Sequence, residues 1–400
     1  MDSAPVKTRA ALAAGIVAGV WVLHELRGLW ARRRLGRGTP AVARDLTELI
    51  GDTPIVRLNA LSNLTQCEIW AKLELANPGG SAKDRVALAI VEAAERAGRL
   101  RRGAHDAHGR ADCVFEGTSG STGISIALIC RARGYEAHIV VPDDTSQDKL
   151  ALLRMLGAHV HLVRPASIAD TGHYVNTARR LASEVNAAPD GQQAIFADQF
   201  ENEANWEAHF RATGPELWAQ LPQIDCFVSG AGTGGTMAGV SRFLKAHKQV
   251  RTVLADVPGS GLYNRVHFGV MYSPKEREGT RRRHQVDTVV EGIGLNRVTA
   301  NLRQAEVDDA EAVADVDTRF MATHLVEQEG LFVGSSSAVA AVAAFRQARK
   351  LGPGHTIGLI FCDSGARHVS KFWALPVDRA CPVALEIEQA ARDRSVIVHK

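Results

Sequence analysis

Lys83 lies in the run Asn77-Pro78-Gly79-Gly80-Ser81-Ala82-Lys83-Asp84-Arg85, where a Gly/Ser turn delivers one lysine to the start of an apolar helix. An exposed lysine, with a pKa near ~10.4, is a weak nucleophile at neutral pH; desolvation or a neighbouring cation makes it fit for carbonyl (Schiff-base) chemistry. The ordinary alternative is a solvated lysine in a first helical turn. Three downstream segments weigh against it. In Thr118-Ser119-Gly120-Ser121-Thr122-Gly123, hydroxyls crowd a turn between the strand-like Cys113-Val114-Phe115-Glu116 and the apolar run from Ile124 to Ile129. A strand, a hydroxyl-rich turn and a helix N-terminus aim N–H groups and hydroxyls at one spot, which suits a carboxylate and exceeds what an N-cap requires.

The second segment, Ser229-Gly230-Ala231-Gly232-Thr233-Gly234-Gly235-Thr236, follows the apolar Cys226-Phe227-Val228 and precedes a helix from Met237 to Lys245. Glycines let the backbone close on a phosphate, and a helix N-terminus favours negative charge. The spacing is not that of a dinucleotide fingerprint, and no Gly-Lys-Ser/Thr ending makes it a nucleotide P-loop, so a small phosphate group is the better fit. The third segment, Glu329-Gly330-Leu331-Phe332-Val333-Gly334-Ser335-Ser336-Ser337, leads into an alanine-rich helix from Ala338 to Arg349.

Lysine, carboxylate loop, phosphate loop and serine turn, in this order, resemble the fold-type II pyridoxal-phosphate enzymes, and most closely their cysteine synthase (O-acetylserine sulfhydrylase) and cystathionine β-synthase group. The resemblance covers residues 45 to 375. It includes Gly51-Asp52-Thr53-Pro54, Gln199 to Asn205, Thr213-Gly214-Pro215-Glu216-Leu217-Trp218, Glu291-Gly292-Ile293-Gly294 and Asp363-Ser364-Gly365. It implies that Lys83 holds pyridoxal 5'-phosphate covalently and later carries the substrate's α-proton. Gly232, Thr233, Gly234, Gly235 and Thr236 would hold the phosphate, Ser121 would approach the ring oxygen, and Ser336 would face the pyridine nitrogen. A hydroxyl there, rather than a carboxylate, leaves the ring a weaker electron sink and favours loss of a β-leaving group. Of that turn, Ser336 alone is expected to matter and Ser335 to be replaceable. Thr118, Ser119, Thr122 and Gln199 would grip an amino-acid carboxylate.

The chain departs from the family pattern in three places. Ser121 stands where the family has Asn, with one donor where an amide has two. Gly117 and Glu203 replace prolines. With the charged insert from Lys275 to His284, these place the chain in a divergent branch.

The 400 residues allow two α/β lobes. With 47 basic and 44 acidic residues the net charge is +3, too small to imply a nucleic-acid partner. Six cysteines, Cys67, Cys113, Cys130, Cys226, Cys362 and Cys381, show no C-x-x-C spacing and read as reduced, mostly buried thiols; nothing suggests a metal requirement. Strand-like runs at His138 to Val141, His159 to Val163, Thr252 to Ala255 and Thr356 to Cys362 alternate with helical stretches such as Asp148 to Leu156. This rhythm predicts an α/β chain of two doubly wound parallel-sheet lobes with the site at the strand C-termini. The expected division is 45–200 for the lysine lobe, 201–385 for the phosphate lobe and 386–400 for a charged tail, with 1–38 set apart. The resemblance adds a homodimer.

From Ala10 to Leu23 the chain carries no charge, with Lys7 and Arg9 before it and Arg27, Arg32, Arg33, Arg34 and Arg37 after it. A bilayer takes ~20 residues, so the run spans only if Trp21, Leu26, Leu29 and Trp30 extend it. Residues 10–30 therefore read as a mitochondrial signal anchor of the outer membrane, with the body in the cytosol; a cleaved matrix presequence is the alternative, against which stand Asp2 and Glu25. The activity implied is O-acetyl-L-serine plus sulfide to L-cysteine plus acetate. Alternatives are cysteine desulfhydration to sulfide, pyruvate and ammonia, a cystathionine β-synthase-like condensation, and a non-catalytic membrane-tethered relative.

Overall fold

The computed structural model describes residues 42–189, 191–271 and 288–398. The chain divides after Glu48 into a short N-terminal unit and a body beginning at Leu49. The apolar stretch at 10–30 and the insert at 275–284 lie outside the described residues. Among the described residues no helix is long and apolar enough to cross a membrane.

Among the described residues ten strands make two sheets: β1 (Ile55–Arg57), β2 (Glu68–Leu73), β3 (Cys113–Gly117), β4 (Glu136–Pro142), β5 (His159–Val163), β6 (Ala194–Phe196), β7 (Cys226–Gly230), β8 (Arg251–Asp256), β9 (Asp309–Ala312) and β10 (Thr356–Phe361). The larger runs β1-β2-β10-β7-β8-β9 and the smaller β5-β4-β3-β6. The strands pair in parallel, except that β1 lies antiparallel to β2 at the edge. Every residue of β3 and of β10 is buried, as expected of parallel strands covered on both faces. The helix Ser335–Leu351 is buried almost throughout, its alanines letting it lie close to the large sheet and place Val339, Val342 and Phe345 in the core.

Two expectations about the layout change. The division at residue 200 does not follow the sheets, because β1 and β2 belong to the larger one. β2 runs beside the last strand, from Glu68 opposite Thr356 to Leu73 opposite Phe361. That register brings the turn after β2, which carries Lys83, against the segment after β10: Ser81 bridges Asp363, and Ala82 N–H donates to the Cys362 carbonyl at 3.1 Å. The stretch from Glu386 is not a tail. Pro382–Val398 is a helix whose Val383, Ala384, Ile387 and Ala390 join the large core, while Asp317 accepts the Val383 N–H at 3.0 Å and Arg346 ties Glu386 to Asp317. Its charges mark only the outer face of an amphipathic helix. All six cysteines are free, and all but the half-buried Cys362 are buried.

Candidate active site

The cavity beyond the C-terminal ends of the strands has a volume of about 320 Å³ and gathers segments that are far apart in the chain. Of the residues singled out from sequence, Lys83, Thr118, Ser119, Ser121, Thr122, Gln199, Gly232, Thr233, Gly234, Thr236 and Ser336 line it. Gly235 does not reach the wall. It packs on Asn205, whose amide a Cβ at this position would strike.

Lys83 is the first residue of the helix Lys83–Arg96. Its turn is held by Asp84, whose carboxylate accepts the Gly79 N–H at 2.6 Å and the Ser125 hydroxyl at 2.6 Å; a Cβ on Gly79 would collide with that carboxylate. Desolvation lowers the Lys83 pKa, opposed by the charges of Cys362 and Asp363. The lysine is thereby biased towards its neutral, nucleophilic form. It makes no ion pair among those found in the described residues, unlike the buried Lys72, which sits 2.7 Å from Glu216.

On one wall, Gly120 precedes the helix Ser121–Arg133, and Thr118 forms a hydroxyl turn by accepting the Gly120 N–H at 3.1 Å. Thr122 donates its hydroxyl to Gln199 Oε1 at 2.5 Å, and Gln199 also hydrogen-bonds Glu116. Burial, then the charge of Asp198, pushes the Glu116 carboxyl up to about 8, so it is protonated and uncharged at neutral pH. Ser121 Oγ accepts from Arg367 at 3.0 Å, and the same guanidinium donates to the Gly79 carbonyl, joining this loop to the lysine turn.

The opposite wall is the start of the helix Gly235–His247. Gly234 has φ +89°, a left-handed conformation that favours glycine, and its missing Cβ makes room for Leu302; a Cβ on Gly232 would strike the Gly292 carbonyl. Three side chains brace the loop: Asn205 donates to Thr233 Oγ1 at 2.9 Å, Thr299 donates to the Thr233 carbonyl at 2.7 Å, and His209 Nε2 lies 3.1 Å from Thr236 Oγ1. Burial takes His209 down to about 3, so this imidazole is neutral.

In the serine turn the hydroxyls diverge. Ser335 Oγ accepts the Glu291 N–H at 3.1 Å and Ser337 Oγ accepts the Cys362 N–H at 2.9 Å, both buried, while Ser336 faces the cavity beside the Cys362 thiol. Ser335 thus has a structural tie that the sequence did not announce: without its hydroxyl the N–H of Glu291, itself on the cavity wall, loses its partner. Tyr174, Cys362 and Asp363 also line the cavity, beyond the site residues that the sequence motifs indicate. Tyr174 opens a helix far from every motif and gives no local signal. Glu291 closes the rim. Burial would raise its pKa, but His368, Lys149 and Lys371 outweigh that and hold it ionised, while Asp363 and Glu291 in turn lift His368 to about 9 against its burial.

These residues fit pyridoxal phosphate. The lysine is desolvated, the glycine wall at a helix N-terminus leaves a cradle no side chain fills, and the group opposite, Ser336, is a neutral hydroxyl rather than a carboxylate.

Comparison with known proteins agrees. Residues 46–363 match the family described as pyridoxal-phosphate dependent enzyme. A protein of Saccharomyces cerevisiae named "Putative mitochondrial cysteine synthase" is 52% identical over 90% of this chain and 90% of its own length. Cysteine synthase 2 of Schizosaccharomyces pombe is 50% identical over 90% of this chain and 92% of its own. Among solved structures, the O-acetylserine dependent cystathionine β-synthase of Helicobacter pylori superposes with a TM-score of 0.70 at 28% identity, covering 84% of this chain and 100% of that one. The desolvated lysine, the glycine-walled cradle and the sequence match agree in placing the chain in the pyridoxal-phosphate dependent enzyme family, among its cysteine synthase relatives.

Proposed function

We propose that the chain is a cysteine synthase that converts O-acetyl-L-serine and sulfide into L-cysteine and acetate. The observation that carries this reading is the placement of the Lys83 amine in one cavity with the hydroxyl loop on one wall and the glycine loop on the other. The names of the fungal relatives, about half identical over nearly their whole length, supply the substrate class. When bound, pyridoxal phosphate supplies an electron-withdrawing ring that acidifies the α-proton of an amino acid joined to it.

Each wall then has a task. The hydroxyls of Thr118 and Ser119 and the backbone N–H groups of the loop would hold the amino-acid carboxylate, while the Thr122 hydroxyl donates to Gln199 and ties the two together at that wall. The uncharged Glu116 behind Gln199 adds no repulsion against that carboxylate. Gly232, Thr233, Gly234 and Thr236 would hold the phosphate, with Gly235 packed behind them on Asn205 and with Asn205 and His209 bracing the loop. Lys83, whose pKa burial lowers, would take the α-proton as the bond from Cβ to acetate breaks, and would return it to the α-carbon once sulfide has added at Cβ. Ser336, a neutral hydroxyl on the cavity wall, would face the ring nitrogen without imposing a charge.

Product analysis tests the proposal. Given O-acetylserine and sulfide, the chain is expected to release cysteine and acetate in equal amounts; sulfide, pyruvate and ammonia from cysteine alone at a higher rate would make it a desulfhydrase. Ser336→Ala should keep the cofactor and lose about 10²-fold or more in turnover. Ser335→Ala should lose less activity but unfold earlier, by roughly 1–3 kcal/mol, because a buried N–H is left without a partner. Equal activity losses from the two would mean that the serine turn has been misassigned.

The location follows the S. cerevisiae relative's name: a mitochondrial protein, with residues 1–38 as its targeting or anchoring segment and the body from Leu49 as its catalytic part. Anchoring in the outer membrane through residues 10–30 rests on the uncharged run with its basic flanks, and resistance to carbonate extraction tests it; a mature N-terminus near Arg34 would favour a cleaved presequence. The homodimer rests on family resemblance and is read by light scattering.

A further inference from the structure

Away from the cavity, the smaller sheet carries a group of side chains that the reaction does not use. Glu136 and His138 alternate along β4 and so share one face of the sheet. In the parallel neighbour β5, His159 lies opposite His138, and His161 two residues on returns to the same face. The ligand atoms of Glu136, His138 and His159 all lie within 4.8 Å of one another. His138 presents Nε2 to the Glu136 carboxylate at 3.6 Å, and its Nδ1 lies 3.1 Å from His161 Nε2. Phe115 stacks on the His138 ring at 4.4 Å.

We propose that Glu136, His138 and His159 form a binding site for a divalent transition cation of the zinc class, with His161 as the positioning residue that orients His138.

Two imidazoles and a carboxylate make a three-ligand protein set that suits zinc, leaving one position for water. The Nδ1 contact matters because a ligating imidazole needs its other nitrogen held. If Nδ1–H donates to His161, the lone pair of His138 is left on Nε2, the atom facing Glu136. Phe115 fixes the ring plane. Tetrahedral zinc brings its donors about 3.3 Å apart, given metal–ligand bonds of about 2.0–2.1 Å, so the three groups must close by an ångström or so. Glu136 is half-buried and His159 exposed, which gives the side chains that freedom and the ion a path in. A hydrophobic role is a poor account of this face, since β-branched and aromatic residues ordinarily fill such strand positions. Glu136 opens β4 and His159 opens β5, at the strand ends away from the cavity, so a bound ion clamps the sheet's edge strand to its neighbour.

The test uses tag-free, full-length protein loaded with pyridoxal phosphate, stripped with EDTA and titrated calorimetrically with ZnCl2. One ion per chain should bind with micromolar or better affinity and raise the unfolding temperature, while the visible absorbance of the lysine-linked cofactor stays unchanged. Co²⁺ should give the intense visible bands of a four-coordinate N/O site. His159→Ala, an exposed position that folding tolerates, should weaken zinc binding by more than tenfold, and His161→Ala by about tenfold, as loss of an orienting partner does. His108→Ala, on an exposed turn, should leave it unaltered. No saturable binding to the wild type, equal affinity in His159→Ala, or zinc binding that bleaches the cofactor absorbance would each overturn the assignment, the last by moving the ion to Lys83 and Cys362.

Discussion

Lys83→Ala is expected to abolish the visible absorbance of the lysine-linked cofactor and to cut turnover by at least about 10²–10⁴-fold, the contribution of a positioned proton carrier alone. The reason is specific to this lysine. Two lysines near the start of the body, the buried Lys72 and the half-buried Lys83, have lowered pKa values because desolvation penalises the charged form. Lys72 is committed: its ammonium pairs with Glu216 at 2.7 Å and donates to the Thr53 carbonyl at 3.0 Å and Gln220 at 3.1 Å. Lys83 has only the weaker pull of Cys362 and Asp363 against its desolvation, and it faces the cavity. Burial also pushes the Cys362 thiol up to about 11, against the pull of Lys83. Borohydride reduction of the wild type followed by peptide mapping should label Lys83. A label on Lys72, or a retained lysine linkage in Lys83→Ala, would sink the assignment. The variant should still bind the free cofactor through the glycine wall, visible as a shifted spectrum of the aldehyde.

Arg85→Ala should be the most destabilising single change in the body. Arg85 lies two residues beyond Lys83 on the same helix and is 3% exposed. Its guanidinium binds Glu74, itself fully buried, through two bonds of 2.6 and 2.8 Å, and Glu216 through two more of 2.7 Å each. Lys72 completes the group, and Thr53 donates to Glu74 at 2.7 Å. Two cations and two anions balance. Removing Arg85 leaves a buried carboxylate without its partner, which costs about 3–5 kcal/mol. That should appear in calorimetry as a fall in the unfolding temperature on the order of 5–10 °C. Adding Glu74→Leu to Arg85→Met removes one charge of each sign and keeps the Lys72–Glu216 pair, so the double variant should recover much of the loss.

Acid should act through the same group. Burial would raise the Glu216 pKa, but Arg85 and Lys72 outweigh it and hold the carboxyl at about 2 against an ordinary 4.5. A depressed folded pKa means stability that is complete above the unfolded value and drains away as pH falls through the interval from about 5 to 2. The wild type should therefore lose stability steeply across that window, and Arg85→Ala less steeply. Parallel acid limbs would mean that Arg85 does not set the Glu216 pKa.

The chemistry was legible because it is local. The lysine turn, hydroxyl loop, glycine loop and serine turn each announce themselves by composition, since backbone curvature and N–H presentation are properties of a few consecutive residues. The strand–helix rhythm likewise foretold parallel sheets, because strands such as Thr356–Phe361 are apolar on both faces. What the sequence could not show depends on which distant segments become neighbours. The parallel register of β2 with β10, and hence the place of Lys83 beside Cys362 and Asp363, is decided by pairing across almost the whole chain. Tyr174 in the cavity, Glu216 on Arg85 and three histidines on two strands are products of the same long-range packing. The divergence of Ser335, Ser336 and Ser337 follows from it too, because identical side chains at a helix entry acquire separate roles only when the N–H groups of Glu291 and Cys362 arrive to donate to two of them.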